Sequence, residues 1–531
     1  MPPRKHKNKK SHHQRQQQQV NKSNSSKKET SNIRKESEDY ETTNIQLPYK
    51  LEHSNIVGRY LVASRELKAG ELLIIEEPLA IGPCVSSDAV CLGCYKPVKL
   101  NGVQYRCTSC CWPLCSVKCK GLYAATGHTI EECDLLKAQK NTTSLSATTS
   151  ATIVKNLYEL ILIVRILLMK QHSPEKYAKI MLMESHSELR KQNADLWQHY
   201  QQNVVTKLLD EWHMASYTAD EIHTVCGILD VNCFEIGQNS AKARTLYPNA
   251  FLLAHDCSPN TSHTDDPNTF AIVLRTSRHV QKDEALTLSY AYTLQGTLKR
   301  RDFMHAGKLF WCFCQRCSDP MELGTDCSAI ICAKCKKGSL RSSDPLNQDA
   351  DWICDNCDNT LISKDLVNLL DKINDDLESI DVHDVSGLEN FLKRYSEILR
   401  FNHYLLLSAK YSLCQIYGRI EGYLLNNMSF EDIKRKEKYC REFLAVIDIL
   451  EPGLTRLRGL IMYELHAPIM LLSRHLMQNG LISKTEFHRN IQEVTNLLRQ
   501  SHEILEMEPP GSSEHQMGLA AADALIKMGC K

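Results

Sequence analysis

The 531-residue chain is short of glycine and proline, with 22 and 17, together about 7% where about 12% is usual. That shortage excludes a collagen-like or turn-dense all-β chain and favours helix. Charge of one sign is missing too. Lys and Arg number 64 against 63 Asp and Glu, a net of +1, so no global field recruits nucleic acid or an anionic membrane. Long apolar runs are also absent: the greasiest stretch, Leu157 to Met169, is broken by Glu159 and Arg165 and is too short to span a bilayer. The amino-terminal MPPRKHKNKKSHHQRQQQQ has no apolar segment of the secretory kind. These absences predict a nuclear or cytoplasmic protein with no membrane partner, whose thiols stay reduced. At about 150 residues per domain, length predicts three or four units.

Cysteine is what the chain has in excess, at 23, and close spacing of reduced cysteines means metal. The first cluster reads Cys91-x2-Cys94, Cys107-x2-Cys110, Cys115-x3-Cys119, His128 and Cys133. Seven thiolates and an imidazole make two tetrahedral Zn²⁺ sites, with Cys111 able to stand in for Cys110. The second, Cys312-x-Cys314-x2-Cys317, supplies three ligands and needs a fourth from elsewhere. The third, Cys332-x2-Cys335 with Cys354-x2-Cys357, fits a closed, structural zinc ribbon.

Around these clusters the pattern alternates between strand and helix. Residues 1 to about 48 are polar, with almost no large apolar side chains, and are expected to be disordered; Met1 to Ser37 carries eleven Lys and Arg against two Glu. Any nucleic-acid contact is expected only there. Two strands are predicted between Gly58 and Ile81 around a turn at Lys68–Gly70. A Thr/Ser-rich run from Asn141 to Thr152 reads as a linker. Helical spacing follows at Leu157, Leu160, Ile161, Val164 and Leu168. Phe270 to Val280 and Ala285 to Tyr290, joined by the polar Gln281–Glu284, predict a hairpin. Beyond Leu361 the chain reads as helical, with one helix from about Phe430 stopped by Pro452-Gly453 and another starting at Ser483.

The spacing of the first cluster resembles the MYND zinc finger. On that resemblance one ion takes Cys91, Cys94, Cys115 and Cys119, and the other Cys107, Cys110, His128 and Cys133. The segment FLLAHDCSPN at Phe251–Asn260, the LTLSY ending at Tyr290 and the Cys312 cluster, in that order, resemble a SET domain. An early Gly58-Arg59-Tyr60 strand interrupted by the finger completes the arrangement. The chain is identified as a member of the SET and MYND domain family, of the arthropod-type branch.

The resemblance implies an α+β, multidomain fold. Its parts are a tail (1–48), the first SET part (49–90), the MYND finger (91–133) and a linker with helical insert (134–220). The SET core (221–295), post-SET zinc site (296–325), zinc ribbon (326–360) and helical, TPR-like lobe (361–531) follow, the lobe lying over the substrate entrance. It further implies an S-adenosylmethionine-dependent protein-lysine methyltransferase, acting on a histone or another protein, with four zinc ions. Cys257 would join Cys312, Cys314 and Cys317; eight cysteines, at 84, 111, 226, 233, 327, 414, 440 and 530, are left without metal.

Tyr290 would carry the catalytic hydroxyl. His255 and the backbone of Ala254, together with Gly58, Arg59, Tyr60 and Asn232, would hold the cofactor, with Asn232 in a facing strand segment and Phe310 over the adenine. Proline-rich peptides would be the finger's partners in gene regulation, although Trp112 and Pro113 replace the residues usual on its surface. Three positions depart from the family pattern: Tyr60 for a glycine, Ala254 for an asparagine and Lys308 for a tyrosine. They motivate the second reading, a SET/MYND scaffold without strong catalysis.

Overall fold

A computed structural model describes residues 47–99, 105–139, 151–238 and 240–529. The basic tail at 1–48 therefore lies outside the described residues except for its last two positions, and so does most of the Thr/Ser-rich run at 141–152.

The strand Gly58–Ala63 turns back on Tyr49–Ser54 in antiparallel register, with Ser54 opposite Gly58. It does not pair with Leu72–Glu76, as a turn at Lys68–Gly70 had suggested. Leu72–Glu76 instead forms the edge of a three-stranded sheet with Ile272–Thr276 and Thr261–Asp265. Pairing with distant strands puts Leu73, Ile74, Ile272 and Leu274 into one core with Leu61 and Ala63, burial that an isolated two-stranded ribbon could not reach. The second expected hairpin fails for the same reason. Gln281–Glu284 does turn the chain, but Val280 bridges to Leu67 and Ala285 to Val62. Thr287–Leu288 then runs parallel to Ala254–His255.

A second three-stranded sheet orders Ala80–Pro83, Ala241–Leu246 and Phe234–Gln238. Against Ala80–Pro83 packs the helix Ala151–His172, in which every residue from Leu160 to Leu167 is buried. Helical spacing thus predicted the element and one apolar face. Over those eight residues the helix is enclosed on all sides, because the finger region helps cover what the sheet does not: Cys91, Cys107, Trp112 and Leu136 share its core.

The ribbon is a four-stranded meander, Ile330–Ile331, Ser339–Ser342, Trp352–Cys354 and Thr360–Leu361. It shares a core with the carboxy-terminal helices through Leu340 and Trp352. Seven helices follow among the described residues. Phe430–Leu450 begins with a reciprocal Ser429/Asp432 capping box, and Lys484–Leu505 begins with Ser483 accepting from Glu486 N–H. The helical lobe meets the sheet region at the Pro452-Gly453 bend, where Leu454 N–H donates to the Ser277 carbonyl at 2.6 Å. No helix among the described residues is long and apolar enough to cross a membrane.

Candidate active site and metal centres

Four groups of ligand atoms converge, each within 4.8 Å: Cys91, Cys94, Cys115 and Cys119; Cys107, Cys110, His128 and Cys133; Cys257, Cys312, Cys314 and Cys317; Cys332, Cys335, Cys354 and Cys357. Zn–S bonds of about 2.3 Å in a tetrahedron set sulfurs about 3.8 Å apart. Here Cys91 and Cys119 sulfurs are 3.7 Å apart, Cys257 and Cys312 3.9 Å, and Cys335 and Cys354 3.8 Å. The donor sets suit zinc. Cys111, with φ at 65°, lies outside these groups. In the finger the loops approach so closely that a Cβ on Gly121 would fall 1.7 Å from the Gly93 carbonyl oxygen; only glycine fits there.

Behind the ligands lie charged side chains that spacing did not single out. His128 turns Nε2 to Cys110 Sγ at 3.3 Å and Nδ1 to Glu132 at 2.5 Å. A carboxylate behind a ligating imidazole fixes its orientation. Arg165, one of the two charges interrupting the apolar helix, holds Glu132 with Nη2 at 3.1 Å and donates to the carbonyls of Ile81 at 2.7 Å and Leu92 at 3.1 Å. One buried guanidinium thus ties finger, sheet and helix together.

The third group has its own support. Glu322 lies between Arg300, at 2.8 Å, and Arg316, at 2.9 Å, all three fully buried. Arg300 Nη2 reaches Cys317 Sγ at 3.5 Å, and Arg316 donates to the Thr293 carbonyl at 2.6 Å. The chain leaving Tyr290 is therefore bound to the cysteine cluster through two guanidiniums.

Around Tyr290 the segments Ala254–His255 and Thr287–Leu288 pair in parallel, pinned by Asn260, whose amide donates to the Ala285 carbonyl and whose oxygen accepts from Thr287 N–H, both at 2.8 Å. Tyr290 N–H donates to His255 Nδ1 at 3.0 Å. The other nitrogen, Nε2, then carries the proton toward Cys257 Sγ at 3.2 Å, and burial pushes this imidazole down to about 4, neutral at pH 7. His255 thus couples Tyr290 to the metal group through both ring nitrogens. The Tyr290 hydroxyl donates to the Leu253 carbonyl, and burial raises its pKa, so it stays protonated. Phe310 completes the cluster, 5.9 Å from the His255 ring.

Lys308 enters the same space. Its Nζ donates to the carbonyls of Asp230 at 3.0 Å and Val231 at 2.8 Å and lies 5.9 Å from the centre of the Tyr290 ring. Burial lowers its pKa. Asn232 is a correction: it ends the helix Ala219–Asn232 rather than lying in a strand, because the capping box at Thr218 and Glu221 starts a helix that runs through Val231. Its amide donates to the carbonyls of Glu184 and Ile228, each at 2.8 Å.

Gly58, Arg59 and Tyr60 are not joined to Tyr290 by any hydrogen bond or ring contact among the described residues. Gly58 adopts φ of 76°, Tyr60 is half-buried opposite Glu52, and Arg59 bonds the Leu182 carbonyl and lies 5.9 Å over Phe251. Leu182 to Glu184, a segment the sequence pattern did not mark, thus receives both Arg59 and Asn232. Its only signal is the left-handed His186 that follows, with φ of 49°.

The chain is similar to several known proteins. The SET domain model matches residues 58–291. The Drosophila melanogaster SET domain-containing protein SmydA-8, isoform B, is 27% identical over 78% of this chain and 90% of its own length. The Arabidopsis thaliana histone-lysine N-methyltransferase ASHR1 is 25% identical over 56% of this chain and 62% of its own. The Mus musculus histone-lysine N-methyltransferase SMYD3 is 28% identical over 49% and 59%. With a SET domain interrupted by a cysteine-rich finger, and with these relatives, the chain is similar to SET and MYND domain proteins, with a relationship to the arthropod type.

Proposed function

We propose that the chain is a protein-lysine methyltransferase using S-adenosylmethionine, with Tyr290 as its catalytic residue. The observation that carries the reading is the aromatic cluster of Tyr290, His255 and Phe310 built on the Cys257 group, within the region matched by the SET model. Ring faces attract cations, and an ammonium, that of Lys308, already lies over Tyr290. The sulfonium of the cofactor is cationic, and the lysine amine becomes so once methylated, so these ring faces fit the cofactor and the product.

When bound, S-adenosylmethionine supplies an activated methyl. The chain's own part is to position and desolvate. Phe310 offers an aromatic face for the adenine, the backbone of Ala254 and Asn232 a polar edge, and Arg59 with the Leu182–Glu184 segment the far wall. An attacking lysine must be neutral, and its ordinary pKa is about 10.4. The burial that depresses Lys308 acts on any amine entering beside it. The Tyr290 hydroxyl, protonated and fixed on the Leu253 carbonyl, orients the acceptor by its position. Four zinc ions hold finger, post-SET loop and ribbon as structural elements, closed to water by four ligands each. Protein substrates and a proline-rich partner of the finger, in a gene-regulatory role in nucleus or cytoplasm, belong to the same proposal.

A specific observation favours the scaffold as the second reading. Lys308 occupies the cationic position over Tyr290, and both ring nitrogens of His255 are already engaged. Calorimetric titration of the zinc-replete chain with S-adenosylmethionine separates the two. Saturable heat at one site supports the enzyme; absence of binding at millimolar cofactor overturns it.

A further inference from the structure

Beside the helix end that holds Lys308 opens a cleft of about 370 Å³, lined by Arg190, Arg244, Asp230, Glu235 and Tyr200 and floored by Gly307 and Leu309. None of Tyr290, His255, Phe310 or Arg59 lines it. Its acids are already engaged. Glu235 pairs with Lys242 at 2.6 Å, and Asp230 takes both an ion pair from Arg190 and the Tyr200 hydroxyl at 2.6 Å. Arg244 has no hydrogen-bond or ion-pair partner among the described residues, and its Nε, like Nε and Nη2 of the fully buried Arg190, is buried without one.

Asp230 is thus taken by Arg190 and Glu235 by Lys242, which leaves the Arg244 guanidinium with no carboxylate in contact among the described residues. Burying such a charge without a counter-ion is unfavourable, and the planar fork of arginine matches the two oxygens of a carboxylate or phosphate. The last carbonyls of the helix Ala219–Asn232 would repel an anion, but Lys308 already donates to two of them. The volume lies at the lower end of small-ligand sites, which begin near 300 Å³.

We propose that this cleft is a binding site for one carboxylate- or phosphate-bearing group, paired with Arg244. Nothing in it rests on the methyltransferase reading. A free small anion and an acidic side chain of a bound peptide share that chemistry, and the test distinguishes them.

The full zinc-replete chain is titrated calorimetrically with inorganic phosphate, with succinate and with a short glutamate-rich peptide. At least one is expected to bind saturably, and Arg244→Gln weakens it tenfold or more. Gly307→Glu is the second variant. A Cβ at Gly307 meets nothing within 4 Å, so the fold tolerates it while a carboxylate is brought to the cleft floor, and the same loss is expected. Arg441→Gln, at an exposed pair with Glu493, serves as the unaffected control. Tighter binding of phosphate or succinate identifies a small anion, and of the peptide a protein side chain. No saturable binding by any probe, or binding equal in wild type and Gly307→Glu, overturns the proposal.

Discussion

Replacing Glu322 with glutamine tests whether the buried Arg300–Glu322–Arg316 triad holds the post-SET metal group. Glu322 is 2% exposed, and its Oε2 receives both guanidiniums while Oε1 takes the Ser328 hydroxyl. Burial alone would raise this carboxyl, but Arg300 and Arg316 beside it hold it down at about 2, against an ordinary 4.5. At 1.36 kcal/mol per pKa unit the drop is worth about 3 kcal/mol. That agrees with the roughly 3–5 kcal/mol lost when one partner of a buried ion pair is removed. A depressed folded-state pKa means the contribution is complete above about pH 4.5 and disappears only as pH falls toward 2, so it is fully present at pH 7. Glutamine keeps the volume and leaves two guanidiniums facing each other beside Cys317.

The assay is release of zinc from the full chain to an excess of chelator at pH 7. Global unfolding of so many units is not two-state, whereas local opening is read ion by ion. About 3 kcal/mol predicts one of four zinc equivalents leaving roughly a hundredfold faster and the other three unchanged. Arg441→Ala, which breaks only exposed pairs, should change nothing beyond about 1 kcal/mol. Four equivalents released at wild-type rates would refute the assigned role of the triad.

Three other substitutions extend the account. Cys335→Ser should reduce the zinc content of purified protein from four equivalents to three by elemental analysis, because no ligand is shared between groups. Glu132→Gln removes the acceptor behind His128 and the partner of Arg165, and should weaken the second finger ion about 10- to 100-fold in a competitive zinc titration. Lys308→Tyr withdraws the ammonium over Tyr290 and should raise methyl transfer to a lysine peptide at least tenfold; unchanged turnover by a variant that still binds cofactor would show that Lys308 does not occupy the acceptor's place.

Ligand spacing is local, so the cysteine groups stand out in the sequence: a CxxC knuckle is a feature of four residues. Helix starts are local as well, and Ser429 and Ser483 could be read from the acidic residue three positions on. Strand partners are not local. Gly58–Ala63 and Leu72–Glu76 look like a hairpin by proximity, yet each finds its neighbour according to which pairing buries Leu73 and Ile74. The strand placement of Asn232 rests on the family resemblance alone, whereas here the helix Ala219–Asn232 runs to that residue and the strand begins two residues later at Phe234.

The charged residues behind the metal groups were hidden for a different reason. Arg165 reads as a break in an apolar run, and Glu322 sits in an unremarked loop, since a single charge in sequence gives no sign of burial. Only the fold shows that Arg165 faces Glu132 and that Glu322 faces two arginines.

The most direct test of the central claim compares wild type with Tyr290→Phe in methyl transfer from radiolabelled S-adenosylmethionine to a lysine-containing protein extract. Phenylalanine keeps the buried ring beside His255 and Phe310 and deletes only the hydroxyl held on the Leu253 carbonyl, so packing and chemistry are separated. The account predicts that labelling falls at least tenfold, about 1.4 kcal/mol in the barrier, with zinc content unchanged. Equal labelling by the two forms would contradict it.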